Sequence, residues 1–208
     1  DQPRSRGLGD VYKRQDYKPV LTNRKYDGRI LAGDELLVQL EKEAVRTKEP
    51  VFTMNLSLTG KYSVVSYANT YKGISKKCTK LEREQLRAAI PQALAFGVVI
   101  RTNAAALLQY SETAEAADCL QPVKEEILYL NQRMTALLQE GIHRTCFSRI
   151  WQSPPLYLTK LRDEGFTYQQ VVTDHCALYD ELKDFAALYM PEQSAAISLY
   201  QDTSYPLQ

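Results

Sequence analysis

The feature that most constrains this chain is the spacing of apolar residues in its second half. Val123, Ile127, Leu130, Met134 and Leu137 recur at alternating steps of four and three, and Val171, His175, Leu178, Leu182, Phe185 and Tyr189 repeat the pattern. At 3.6 residues per turn an α-helix gathers such positions onto one face. Pro122 suits the first turn of the earlier helix, where a missing N–H leaves nothing unpaired, and Gly141 is placed to end it. Thr167 and Gln170 have capping-box spacing ahead of the later helix, Phe166 and Val171 sit at the positions of a hydrophobic staple, and Pro191 stops it.

Further helices are expected upstream. Thr79-Lys80-Leu81-Glu82 is a second capping box, opening a helix that carries Leu86 and Ile90 inward and breaks at Pro91. Ala93–Tyr110 reads as a central core helix with Leu94, Gly97, Ile100, Ala104 and Leu107 on one stripe. Glycine in a helix costs about 1 kcal/mol against alanine, so Gly97 implies that another element approaches closely. Leu36, Leu37, Leu40 and Ala44 predict a first helix, capped by Asp34 and stopped by Pro50.

Between these the period changes to two. Phe52, Met54, Leu56 and Leu58 alternate with Thr53, Asn55 and Ser57, and Tyr62–Tyr67 follows after a short polar break. A loop Leu58-Thr59-Gly60 with Gly60 left-handed would pair Leu56 with Tyr62 and Met54 with Val64. An isolated hairpin is marginal in water, so a third strand from Val20–Thr22 or packing on the helices is needed. A short helical turn is expected at Cys146–Trp151, before the Ser153-Pro154-Pro155 break. Together these signals predict a mainly α fold: a bundle of four to five helices with one β-hairpin near the N-terminal side, a minor α+β component. A single domain over 16–208 is expected, with the hairpin at 51–68, the bundle at 79–190 and a loose tail at 201–208.

The first fifteen residues stand apart. Asp10-Val11-Tyr12-Lys13-Arg14-Gln15 is one reading frame of the mosaic end of transposase-library adapters, and Ser5-Arg6-Gly7-Leu8-Gly9 continues that frame upstream. Residues 1–15 therefore resemble a translated sequencing adapter, and fold reasoning starts at Asp16. The natural chain is expected to begin there, within its gene, so a signal peptide upstream is left open. Residues 16–208 are expected to match no recognised protein family.

Hydrophobic residues at 44% and charged residues at 25% exclude a largely disordered chain. The net charge of +1 points to no partner, but its distribution does. Pro50–Leu81 holds no acid and five lysines, whereas Gln152–Gln208 holds eight acids against Lys160, Arg162 and Lys183. Such polarity steers anions to one end, or makes two solvated surfaces that attract each other. Cys78, Cys119, Cys146 and Cys176 form no disulfide framework and are expected as reduced, mostly buried thiols. The longest apolar stretch, Ala93–Leu108, falls short of a membrane span of about 20 residues, and a cytoplasmic location is expected.

Few residues offer chemistry. His143, Cys146, His175 and Cys176 are of zinc-ligand type, but His175 and Cys176 would point about 100° apart on a helix, and no metal or other cofactor is expected. His143 and Cys146 also match a thiol nucleophile and its base in residue type, without an oxyanion-hole signature. The strongest signal is the acid-free region, where Tyr62, Tyr67 and Tyr71 are interleaved with Lys61, Lys72, Lys76, Lys77 and Lys80. Lysines neutralise phosphates and tyrosine rings stack on unpaired bases. The competing account is strand tyrosines packed on the core beside solvated lysines.

Leu158-Thr159-Lys160-Leu161-Arg162-Asp163-Glu164-Gly165-Phe166-Thr167-Tyr168-Gln169-Gln170-Val171-Val172 resembles the opening of a helix-turn-helix, the first helix ending at Glu-Gly and a threonine capping the second. That resemblance implies a second helix presenting basic or amide side chains to a groove. The helix after Val172 is acidic, so capping of an ordinary αα-hairpin accounts better for the segment.

The expected function is a small soluble binding or regulatory protein. Its partner would be nucleic acid at the basic, tyrosine-bearing region (Lys61, Tyr62, Tyr67, Tyr71, Lys72, Lys76, Lys77, Lys80), or a protein at a helical face. The alternative is an enzyme of unrecognised type using His143 and Cys146. Oligomeric state is left open.

Overall fold

The computed structural model describes residues 19–110, 119–164 and 168–201. The adapter-like lead, the expected cap and staple residues Thr167 and Phe166, and residues 202–208 of the expected tail lie outside these. Two compact units are distinguished, one running to Trp151 and the other from Gln152.

The first unit is built on a sheet, not on a helical bundle. Among the described residues β1 (Gln39–Lys42) and β2 (Val51–Thr53) form an antiparallel pair with Leu40 opposite Phe52. A four-stranded sheet follows in the order β3-β4-β6-β5, from β3 (Ser57–Thr59), β4 (Ser63–Ser66), β5 (Lys72–Ile74) and β6 (Gly97–Ile100). β3 and β6 lie antiparallel to β4, while β5 and β6 are parallel. Parallel neighbours need a crossover, which α1 (Lys80–Arg87) supplies. A 3-10 segment, Thr102–Tyr110, leaves β6, and α2 (Gln121–Ile142) returns along the sheet. Val123, Ile127, Leu130 and Met134 of α2 meet Leu58, Val65, Val98 and Ile100 in one core. Each such side chain contributes about 1.5–3 kcal/mol when fully buried.

The second unit has α3 (Leu156–Glu164), β7 (Val171–Thr173), α4 (Cys176–Tyr189), a 3-10 turn Pro191–Ala196 and β8 (Ile197–Leu199). β7 and β8 are parallel, joined through α4. Leu158, Leu182, Phe185, Ala186, Met190 and Ile197 form its core.

Eight strands in three sheets among the described residues overturn the expected mainly α bundle with one hairpin. Each difference has a physical reason. The expected first helix is β1, held by pairing to β2 and by the Gln39 amide, which accepts from Ser57 N–H (2.7 Å) and donates to Ser57 C=O (3.2 Å). Asp34 does not cap a helix; its carboxylate takes Arg24 (2.6 and 2.7 Å) and the Leu31 N–H (2.6 Å). The expected core helix over 93–110 contains β6, because Val98, Val99 and Ile100 are β-branched and pair on both sides. Gly97 does mark a close approach: a Cβ there would overlap Asn69. Val171-Val172-Thr173 is likewise a strand, so the segment after Glu164 is neither a helix-turn-helix nor an αα-hairpin.

The hairpin also differs in register. Thr59 lies opposite Val64 and Leu58 opposite Val65, with Gly60 N–H bonded to Ser63 C=O at 2.8 Å. Gly60 is not left-handed; a Cβ on it would overlap the Glu126 carboxyl. The third and fourth strands are β6 and β5, while Leu21 makes only an isolated bridge to Leu36. Gly141 does not end α2 but lies within it, against Leu37. The Thr79–Glu82 capping box and the N-terminal proline of α2 are present. No described helix is long and apolar enough to cross a membrane.

Candidate nucleic-acid interface

The acid-free stretch divides between core and surface. Lys61 is 5% exposed, its ammonium 5.2 Å from the centre of the Tyr62 ring. Its backbone N–H, with those of Tyr62 and Ser63 and the Ser63 hydroxyl, donates to the Glu126 carboxylate at 2.7–2.9 Å. Three successive N–H groups make a concave anion-holding nest, and here an internal carboxylate fills it. The Arg101 guanidinium closes the outside of the turn by donating to Gly60 C=O at 2.7 Å. Tyr62 and Tyr67 pack on the core, the Tyr67 ring 6.0 Å from that of Phe96. Lys61, Tyr62 and Tyr67 thus serve the sheet.

The remaining residues gather around edge strand β5 and the start of α1. Tyr71 and Lys72 are exposed beside Gly73, and Lys76, Lys77 and Lys80 are exposed on the turn and first helical residue that follow. The backbone and side chain of Glu82 are occupied in capping Thr79, whose N–H donates to the Glu82 carboxylate at 2.7 Å. That carboxylate therefore faces the helix end and pairs with none of the three lysines. Cations at a helix N-terminus oppose the macrodipole and reduce stability. Lys76, Lys77 and Lys80 concentrate positive charge at and just before that end.

Between β5 and α1 lies a cleft of about 650 Å³. Tyr71, Lys72 and Gly73 form one wall, Arg83 and Arg87 the other, and Pro91 and Gln92 one end. The Lys72 ammonium donates to the carbonyls of Pro91 and Gln92, fixing that end. Arg83 and Arg87 are four residues apart on a helix and so share a face. They escaped the sequence reading because the acid-free window closes at Glu82; the arginine spacing on an already expected helix was the available signal. Under α1 the Cys78 thiol is buried, which pushes its pKa up, with the nearby Glu82 charge adding to the effect.

The alternative chemistry is not assembled. His143 and Cys146 are both exposed after α2, and neither side chain hydrogen-bonds the other. His143 ends the helix through its backbone N–H, bonded to the carbonyls of Glu140 and Gly141. His175 is not a stripe residue of a helix interior: it caps α4, its Nδ1 accepting from Leu178 N–H at 3.3 Å. Cys146 and Cys176 are exposed, against the expectation of mostly buried thiols, and all four cysteines are free. Among the described residues no three His, Cys, Asp or Glu side chains are grouped to share a metal ion.

A model of the Ribonuclease E/G family matches residues 57–208. Ribonuclease G of Haemophilus influenzae is 25% identical over 172 residues, covering 81% of this chain and 33% of that protein. Ribonuclease G of Salmonella typhimurium is 23% identical over 189 residues, 89% of this chain and 36% of that protein. The Escherichia coli K12 protein of the same name is 23% identical over 172 residues. The chain spans about a third of the length of the curated relatives it matches.

Proposed function

The chain belongs to the Ribonuclease E/G family, and from that premise we propose that it is part of an RNA-cleaving enzyme whose described portion holds the RNA strand. Family membership corrects two expectations: that residues 16–208 match no recognised family, and that the protein is a small regulatory binder built as a helical bundle. Of the two function classes read from the sequence, the enzyme is the one the relatives favour. His143 and Cys146 take no step in this reading, since they share no hydrogen bond.

The observation that carries the binding role is the grouping of Lys76, Lys77, Lys80, Arg83 and Arg87 on and just before α1, beside the exposed ring of Tyr71. Cations without carboxylate partners are free to neutralise phosphates, and each phosphate neutralised releases condensed counterions. Affinity for single-stranded RNA is therefore expected to fall with salt at a log–log slope of about −2 to −3.5 for three to five engaged cations. Changing Lys76 and Lys77 to alanine together should flatten that slope by about 1.4. Anisotropy titrations of a labelled single-stranded RNA between low and moderate salt measure both. No binding at micromolar protein and low salt sinks this reading.

A further inference from the structure

Some features of the cleft beside β5 suit a nucleotide better than a bare phosphate chain. Tyr71 is 66% exposed, a large ring left in water, yet it is fixed. Its backbone N–H donates to Asn69 Oδ1 at 3.0 Å, and its ring lies so close over Gly73 that a Cβ there would overlap it. A ring pinned on one face and open on the other is a stacking surface whose ordering precedes binding.

Across the cleft, half-buried Arg83 uses Nε to hold the Thr79 carbonyl at 3.3 Å, and its terminal nitrogens make no hydrogen bond among the described residues. The Arg87 guanidinium has no ion pair or hydrogen bond among the described residues. Half-buried Ile74 and Ile90 give the cleft an apolar part, and the exposed Gln92 adds an amide at one end. The volume of about 650 Å³ lies within the range of about 300–1,000 Å³ usual for small-molecule sites. Lys72 is already committed to the Pro91 and Gln92 carbonyls, so it shapes the cleft and does not charge it.

We propose that this cleft takes one unpaired nucleotide of an RNA strand, its base stacked on Tyr71 and its phosphate held by Arg83 and Arg87. The assignment rests on the RNA-binding reading above and adds to it where a base, as distinct from the backbone, is felt. Lys76, Lys77 and Lys80 track neighbouring phosphates, and at the Tyr71 cleft losing a ring changes affinity without changing charge.

The test uses the full chain, a labelled decauridylate, and unlabelled inorganic polyphosphate of matched length as a competitor that has phosphates but no bases. Tyr71→Ala should weaken decauridylate binding by roughly tenfold through lost stacking and leave competition by polyphosphate unchanged. Tyr71→Phe keeps the ring and should bind within about twofold of the unmodified chain. Arg87→Ala should weaken both ligands and flatten the salt slope by about 0.7. Thermal unfolding of each variant confirms that the fold is intact; Tyr71 and Arg87 are exposed, so their removal leaves no cavity. Decauridylate binding that responds to Lys76→Ala and Lys77→Ala but not to Tyr71→Ala or Arg87→Ala overturns the cleft while leaving the RNA-binding reading in place. Equal weakening of decauridylate and polyphosphate by Tyr71→Ala overturns the stacked base. Failure of the unmodified chain to bind decauridylate overturns the functional reading beneath it.

Discussion

At the scale of single residues, Glu126 fastens the sheet to α2. One carboxylate accepts from Lys61, Tyr62 and Ser63 N–H and from the Ser63 hydroxyl, and so ties α2 to the β3–β4 turn sixty-odd residues earlier. Glu126→Gln presents an NH₂ group where donors converge, and leaves one or more partly buried N–H groups without an acceptor. Hydrogen bonds to charged groups are worth about 1.5–3 kcal/mol each, and an orphaned donor costs about 1–3 kcal/mol. The expected loss is roughly 2–3 kcal/mol in urea unfolding, within that range after relaxation of the side chain. A change under about 0.5 kcal/mol, typical of a neutral surface site, would show that water replaces the carboxylate without penalty. No local pattern announces this contact. Glu126 reads in sequence as one of two adjacent solvated acids on the polar side of a helix, and Gly60 as a turn glycine. Only the folded chain shows that Gly60 is needed for space and not for a left-handed backbone.

At the scale of elements, what was legible depended on how local each element's cause is. The heptad-like spacing of α2 and the Thr79–Glu82 cap are local and were readable. β5 and β6 pair in parallel across α1, a contact between residues about 26 apart, and nothing within either segment records it. Leu94, Gly97 and Ile100 happen to fall at helical spacing, so the period misled where tertiary pairing decided. The candidate site divides on the same line. Lys76, Lys77 and Lys80 stayed at the surface because polar residues in a turn do so by default, whereas Lys61 was drawn inward by the Glu126 nest. A local element also carries a pH dependence. The Arg24 guanidinium, and after it the Leu31 N–H, hold the Asp34 carboxyl below its ordinary range, and this ion pair pins the segment that bridges Leu21 to Leu36. A depressed folded-state pKa gives stability that is complete above the unfolded value of about 3.9 and is lost as pH falls through the lower folded value. Amide exchange of Thr22, Leu31 and Leu37, whose N–H groups are bonded within this segment, should therefore quicken relative to the unfolded-chain rate at the same pH once pH falls below about 3.9 in the unmodified chain. Asp34→Asn should show the quickened exchange at neutral pH; protection unchanged in that variant would mean that the backbone bonds hold the segment without the ion pair.

At the scale of the whole molecule, charge is divided between the two units. The full chain carries +1, and Gln152–Gln208 carries −5, so a chain ending at Trp151 carries +6. The first unit holds its own core of sheet and α2 residues and the whole of the basic face, so its folding and its phosphate contacts are expected to survive the truncation. What changes is the long-range field. Covalent attachment of the acidic unit adds five net negative charges to the molecule, and these lower its long-range attraction for a polyanion. Screening limits that reach to about 30 Å at 0.01 M salt and about 8 Å at 0.15 M. The truncated chain should accordingly bind single-stranded RNA several-fold more tightly than the full chain near 0.01 M salt, mainly through faster association, and the two should converge as salt rises past 0.15 M. Stopped-flow anisotropy at both salts separates the rate constants. Equal association rates at low salt would show that the acidic unit lies electrostatically outside the encounter, and weaker binding by the truncated chain at both salts would show that the second unit contributes contacts of its own.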